Sequence, residues 1–107
     1  MRPTRIRDDN MITIAEANVV LGHLPNEFDS HDFIEKYISL YERPYVNMLV
    51  EKIDNQGIFQ TVNSMIARFI EDNKTGLGVT KDERIKSQNV KGNYTENQKW
   101  IKKNYNS

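Results

Sequence analysis

A chain of 107 residues, 37% apolar and 28% charged, suits one domain around a single hydrophobic core. It has no cysteine, which excludes disulfides, thiol catalysis and cysteine-based zinc sites. No apolar run approaches the ~18 residues of a membrane span, and the opening MRPTRIRDDN lacks the apolar stretch of a secretory signal, so a cytoplasmic protein is expected. The formal net charge is zero but unevenly spread: residues 8–54 hold ten acids against three bases, and residues 84–107 hold six bases against one acid. That asymmetry suggests an anionic partner for the basic end, or an attraction between the two halves within one fold.

In chain order, residues 1–10 read as a flexible basic arm with Arg2, Arg5 and Arg7, ahead of a single helical domain over 11–107. Such an arm could enter a minor groove, although Asp8 and Asp9 oppose a long basic track. Thr13 and Glu16 have the spacing of a capping box, in which each side chain satisfies a free backbone N–H at a helix start. A short helix should follow and end near Gly22, with a loop at Pro25 and Asn26. Asp29 or Ser30 caps the next helix, whose Phe33, Tyr37, Ile38 and Tyr41 recur at helical spacing. Pro44 ends or kinks it and suits the first turn of a third helix with Tyr45, Met48, Leu49 and Ile53 inward.

After a turn at 54–57, the segment FQTVNSMIARFI separates completely on a helical projection. Phe59, Val62, Met65, Ile66, Phe69 and Ile70 fall on one side, and Gln60, Thr61, Asn63, Ser64, Ala67 and Arg68 on the other. Phe33, Tyr37, Leu49, Val62, Ile66 and Phe69 are expected to be buried together. Beyond the stop at Asn73, Gly76 and Gly78, residues 84–94 admit a short hairpin or an irregular basic loop. Thr80 with Glu83, and Thr95 with Gln98, repeat the capping-box spacing, so a last helix is expected with Trp100, Ile101 and Tyr105 inward. The expected fold is mainly α, a small bundle of four or five helices containing a helix-turn-helix, which a hairpin near 84–94 would make winged.

The chemistry-bearing candidates lie in the later part of the chain. In a helix-turn-helix the second helix enters the major groove with its early residues at base edges. Gln60, Thr61, Ser64 and Arg68 share one face and are of types that read bases, since amides pair with adenine and guanidinium with guanine. Lys86, Lys91, Lys99, Lys102 and Lys103 are the candidate phosphate contacts, and a basic hairpin after a recognition helix lies where a wing meets the backbone. Catalysis is poorly represented. His23 and His31 lack metal-pair spacing, Glu83 and Lys86 are one residue too far apart for the common nuclease arrangement, and no phosphate-binding glycine loop or nucleophile elbow is present. Tyr37, Tyr41 and Tyr45 suit a packing layer better than a stacking platform, because their spacing crosses Pro44.

The sequence therefore leads to a non-enzymatic module that binds double-stranded DNA, without metal or cofactor. The alternative is a protein-interaction module, such as an adaptor, inhibitor or subunit of a nucleic-acid enzyme, using the acidic face of residues 8–54.

Overall fold

The computed structural model describes residues 12–52, 57–89 and 92–103. The arm over residues 1–10, Ile53, most of the 54–57 turn, Lys91 and Tyr105 lie outside them. Helix α1 spans Ile14–Gly22 and carries the reciprocal cap: Glu16 N–H donates to Thr13 Oγ1 (3.1 Å) and Thr13 N–H to Glu16 Oε1 (3.2 Å). Strand β1 is Glu27–Asp29. Asp29 then caps α2, Ser30–Leu40, exchanging two hydrogen bonds with Asp32. Helix α3, Glu42–Glu51, has Pro44 in its first turn, where a missing N–H costs nothing. Helix α4 is Ile58–Asp72, entered through Gly57 in the left-handed region (φ 63°), and α5 is the single turn Lys74–Leu77, closed by Gly78 (φ 72°). Strands β2, Val79–Gln88, and β3, Tyr94–Lys102, form an antiparallel hairpin.

The mainly α bundle is thus overturned. Of the described residues 57% are helical and 26% lie in a three-stranded antiparallel sheet, an α+β fold. Strand order is β1-β3-β2, so β3 sits centrally. Neither Thr80–Glu83 nor Thr95–Gln98 starts a helix; both stretches are strand. Capping-box spacing is local, whereas the backbone bonds of β3 come from β2 on one side and from Glu27–Asp29 on the other. Tyr94, Thr95, Trp100 and Ile101 also favour a pleated surface. The hairpin spans 79–102 instead of the 84–94 expected. Between Lys81 and Arg84 it carries a bulge, with Asp82 and Glu83 facing the single residue Lys99.

The core joins both layers. Phe33, Tyr37, Met48, Val62, Ile66 and Ile70 from the helices meet Phe28, Val79 and Trp100 from the sheet. Trp100 is 1% exposed, stands opposite Phe28, and its indole N–H donates to Ser30 Oγ (3.1 Å). Leu49 and Phe69, expected at the centre, are only partly buried. Phe59, placed on the apolar side of its helix, is 42% exposed. Burial, with Glu16 beside the hydroxyl, pushes the Tyr37 phenol above its ordinary range, so it remains a neutral donor to Glu16 Oε1. Tyr37, Tyr41 and Tyr45 are packing residues, with the first two rings 5.4 Å apart.

Ile66 is fully enclosed, so Ile66→Ala should destabilise the fold by about 2–5 kcal/mol through lost burial and a residual cavity. Emission of the lone tryptophan, buried in the native state, follows the denaturant titration that measures this. A loss below about 1 kcal/mol would mean that this stripe of α4 does not face the core.

Candidate nucleic-acid interface

Helix α4 buries Val62, Ile66 and Ile70 in the core and leaves Gln60, Ser64 and Arg68 exposed. The β2–β3 hairpin rises beside that face because Trp100 and Val79 seat its base in the same core. Between them lies an open groove of about 850 Å³. Gln60, Asn63, Ser64, Arg68 and Glu71 of α4 form one wall. Lys81 and Arg84 of β2 and Thr95–Gln98 of β3 form the other, with Ile34 and Trp100 supplying apolar surface. A second hollow of about 430 Å³ lies on the other flank of α4, lined by Gly57, Gln60, Thr61, Ser64, Met65 and Arg68. Gln60, Ser64 and Arg68 border both, so these three exposed residues form the crest of α4. Thr61 sits on the outer flank and is half-buried. Of the four candidates on α4, Gln60, Ser64 and Arg68 thus border the groove and Thr61 does not.

The four phosphate candidates among the described residues do not border it. Lys99 forms ion pairs with Glu27 (3.0 Å) and Asp82 (3.7 Å), and its bond to Glu27 holds the ammonium charged above its ordinary range. Lys102 donates to the carbonyls of Leu21 and Leu24, where a cation suits the negative end of α1. Lys103 is exposed at the base of the sheet, its N–H bonded to Gly78 O, and does not line the groove. Lys86 is exposed on β2, cross-strand from Glu96. Lys91 lies outside the described residues. The cations that do line the groove with Arg68 are Lys81 and Arg84, which sequence reasoning did not single out. The signal was available in part: Arg84, Lys86 and Gln88 alternate along a strand, but only once residues 79–88 are read as one.

Glu71 sets the charge at the inner end of the groove. It binds Lys81 (3.0 Å) across the gap and Lys74 (3.1 Å) on α5, and so ties α4 to β2. Among the described residues no carboxylate pairs with Arg68 or Arg84, which face the groove from opposite walls. Asn63 is held by the Tyr45 hydroxyl, which donates to its Oδ1 (2.9 Å).

A polar network braces the outer hairpin against α2. His31 N–H donates to Oδ1 of buried Asn97 (2.9 Å), so the Asn97 amide N–H₂ donates to Ser87 Oγ (3.2 Å). Ser87 Oγ also bonds His31 Nδ1 (2.8 Å), and His31 Nε2 bonds Thr95 Oγ1 (3.3 Å). His31 is thus a strut between α2 and both hairpin strands, beyond the surface role its sequence position suggests. His23 Nδ1 bonds Val19 O within its own helix. The acids of the front half are likewise partly engaged: Glu16, Asp29 and Asp32 cap helices, and Glu27 holds Lys99. Among the described residues no group of three or more acidic or histidine side chains could hold a metal ion, and no helix is long and apolar enough to cross a membrane.

The hydrogen bond from Lys81, followed by that from Lys74, lowers the Glu71 carboxyl below its ordinary value. A depressed folded pKa contributes stability that is complete above the unfolded value and is lost as pH falls through the folded one. The tie between α4 and β2 should therefore persist through neutral pH and open only in acid. Carbon-detected NMR titration of Glu71 should give a midpoint below that of an ordinary glutamate, and Lys81→Ala should move it upward. An ordinary midpoint in the unsubstituted protein would mean that the bridge does not form. No family model matches this chain, and neither a characterised protein nor a solved structure matches it.

Proposed function

We propose that this protein is a non-enzymatic, winged-helix-type module that binds double-stranded DNA in the cytoplasm, with α4 as its recognition helix and the β2–β3 hairpin as its wing. The observation that carries the reading is the placement of two guanidinium groups, Arg68 and Arg84, on opposite walls of one groove with no carboxylate paired to either among the described residues. Guanidinium presents planar, paired donors that match phosphate oxygens or the edge of guanine. The order of elements adds independent support. Helices α3 and α4 are consecutive, as the helix-turn-helix reading requires, and the β2–β3 hairpin follows the recognition helix as a wing would.

In this arrangement the crest Gln60, Ser64 and Arg68 enters the major groove, while the sugar–phosphate strand beside it runs between α4 and the hairpin. Arg84 faces that strand from β2. Glu71 bears on the inner end, where Lys81 and Lys74 already offset its charge. Lys99, Lys102 and Lys103 have no part in this interface; two are engaged elsewhere and the third lies outside the groove.

The two arginines should behave differently in paired titrations on a selected and a scrambled duplex at two salt concentrations. Arg68→Ala should cost about 1–3 kcal/mol on the selected site and much less on the scrambled one. Arg84→Ala should weaken both similarly and reduce the salt slope by about one unit, as expected for one lost phosphate contact. Absence of duplex binding by the unsubstituted protein at low salt would overturn the reading.

A further inference from the structure

Asn63 borders the groove from α4 but not the hollow on the outer flank, so it stands on the side given to the sugar–phosphate strand and not on the crest. Its side-chain amide is held from behind. The Tyr45 hydroxyl of α3 donates to Asn63 Oδ1 (2.9 Å), a bond that joins α3 to α4. Tyr45 is only 4% exposed, and burial, against the opposing bond to Asn63, holds its phenol above its ordinary range. It therefore keeps its proton at neutral pH, and a buried hydroxyl must place that proton on an acceptor. Asn63 Oδ1 is the acceptor that the described residues supply. The amide is oriented by this bond: Oδ1 is turned to Tyr45, and Nδ2–H₂ is the edge left for the groove.

Among the described residues Asn63 Nδ2 donates to no protein acceptor. The facing wall differs. Asn97 accepts from His31 N–H and donates to Ser87 Oγ and Ile85 O, and Thr95 Oγ1 is bonded to His31 Nε2. Those groups are spent on the brace between α2 and the hairpin, whereas Asn63 carries two oriented donors. An amide reads adenine by accepting from N6 and donating to N7 at once, which needs both of its ends. Asn63 has one end committed to Tyr45, so it suits a partner that only accepts, as a phosphate oxygen does. Along α4 it lies about 12 Å from Glu71 at ~1.5 Å rise per residue. The Debye length at physiological salt is about 8 Å, so the Glu71 charge is largely screened there. Prior orientation by Tyr45 also lowers the rotamer entropy lost when the donor is engaged.

We infer that Asn63, with Tyr45 as its positioning residue, is an uncharged clamp that donates from Nδ2 to a phosphate oxygen of the DNA strand in the groove. This inference rests on the DNA-binding reading. A neutral donor adds affinity without neutralising a phosphate, so its loss should leave the salt slope unchanged, unlike the loss of Arg84. The test titrates the unsubstituted protein, Asn63→Ala, Tyr45→Phe and the double variant on a selected and a scrambled duplex at two salt concentrations, with a melting curve on each. Asn63→Ala should weaken both duplexes alike by roughly 2- to 12-fold, the range of one net hydrogen bond. Tyr45→Phe keeps the ring but releases the amide, and should weaken both duplexes in the same pattern. Added to Asn63→Ala it should weaken binding no further, because the amide it orients is gone. The double variant removes donor and acceptor together and leaves no buried hydroxyl without a partner, so it carries the test if Asn63→Ala alone fails to fold. A Tyr45→Phe protein that melts lower but binds as tightly as the unsubstituted one would overturn the positioning role. Loss confined to the selected duplex would make Asn63 a base contact and overturn the clamp. Undiminished binding by the double variant would overturn it too, while DNA binding stands. If the unsubstituted protein binds neither duplex, both readings fall together.

Discussion

The seating of Trp100 is the interaction on which the rest of this structure depends. A two-stranded hairpin is marginal by itself in water, and β1 contributes only three residues. Trp100 joins these weak pieces. It pairs opposite Phe28 on the short strand, buries its ring among the helices, and places its indole N–H on Ser30 at the start of α2. One side chain thus anchors the central strand to the edge strand and to the helical layer. Its polar atom is satisfied, which a buried indole requires. The base of the hairpin is then fixed beside α4, and the groove exists because two elements rooted in one core rise from it side by side.

Secondary contacts determine the shape of that groove. The bulge after Lys81 sharpens local twist, and Gln98 covers it by donating to the carbonyls of Asp82 and Glu83. The Glu71–Lys81 bridge closes the inner end, while the His31–Ser87–Asn97 network steadies the outer half from the other side. Some of the cations are engaged in this construction. Lys81 and Lys99 neutralise carboxylates, and Lys102 completes a helix end. Arg68 and Arg84 stand opposed across the gap, with no carboxylate paired to either among the described residues.

The first two-thirds of the fold were legible because their signals are local. Thr13 with Glu16, Asp29 with Asp32, and Pro44 each act within one helical turn, and the two-sided pattern of 59–70 needs no distant partner. The last third is hidden for the opposite reason. Thr95–Gln98 looks like a cap in isolation, and only pairing with strands near residues 28 and 85 makes it extended. The bulge also breaks alternation along 79–88, hiding the strand period. The candidate site divides in the same way. Gln60, Ser64 and Arg68 follow from helical spacing alone, but Arg84 reaches the groove only through the hairpin. Lys99 and Lys102 look like available cations in the sequence because it records charge and not the partner that absorbs it.

The most direct test of this account is the set of nuclear Overhauser contacts from the Trp100 indole N–H and ring. Seating as described requires contacts to Phe28 and Ser30, together with cross-strand contacts between Ile85 and Asn97. A helical pattern of sequential amide contacts through residues 95–102, with no contact from the indole to Phe28 or Ser30, would contradict the hairpin and with it the groove.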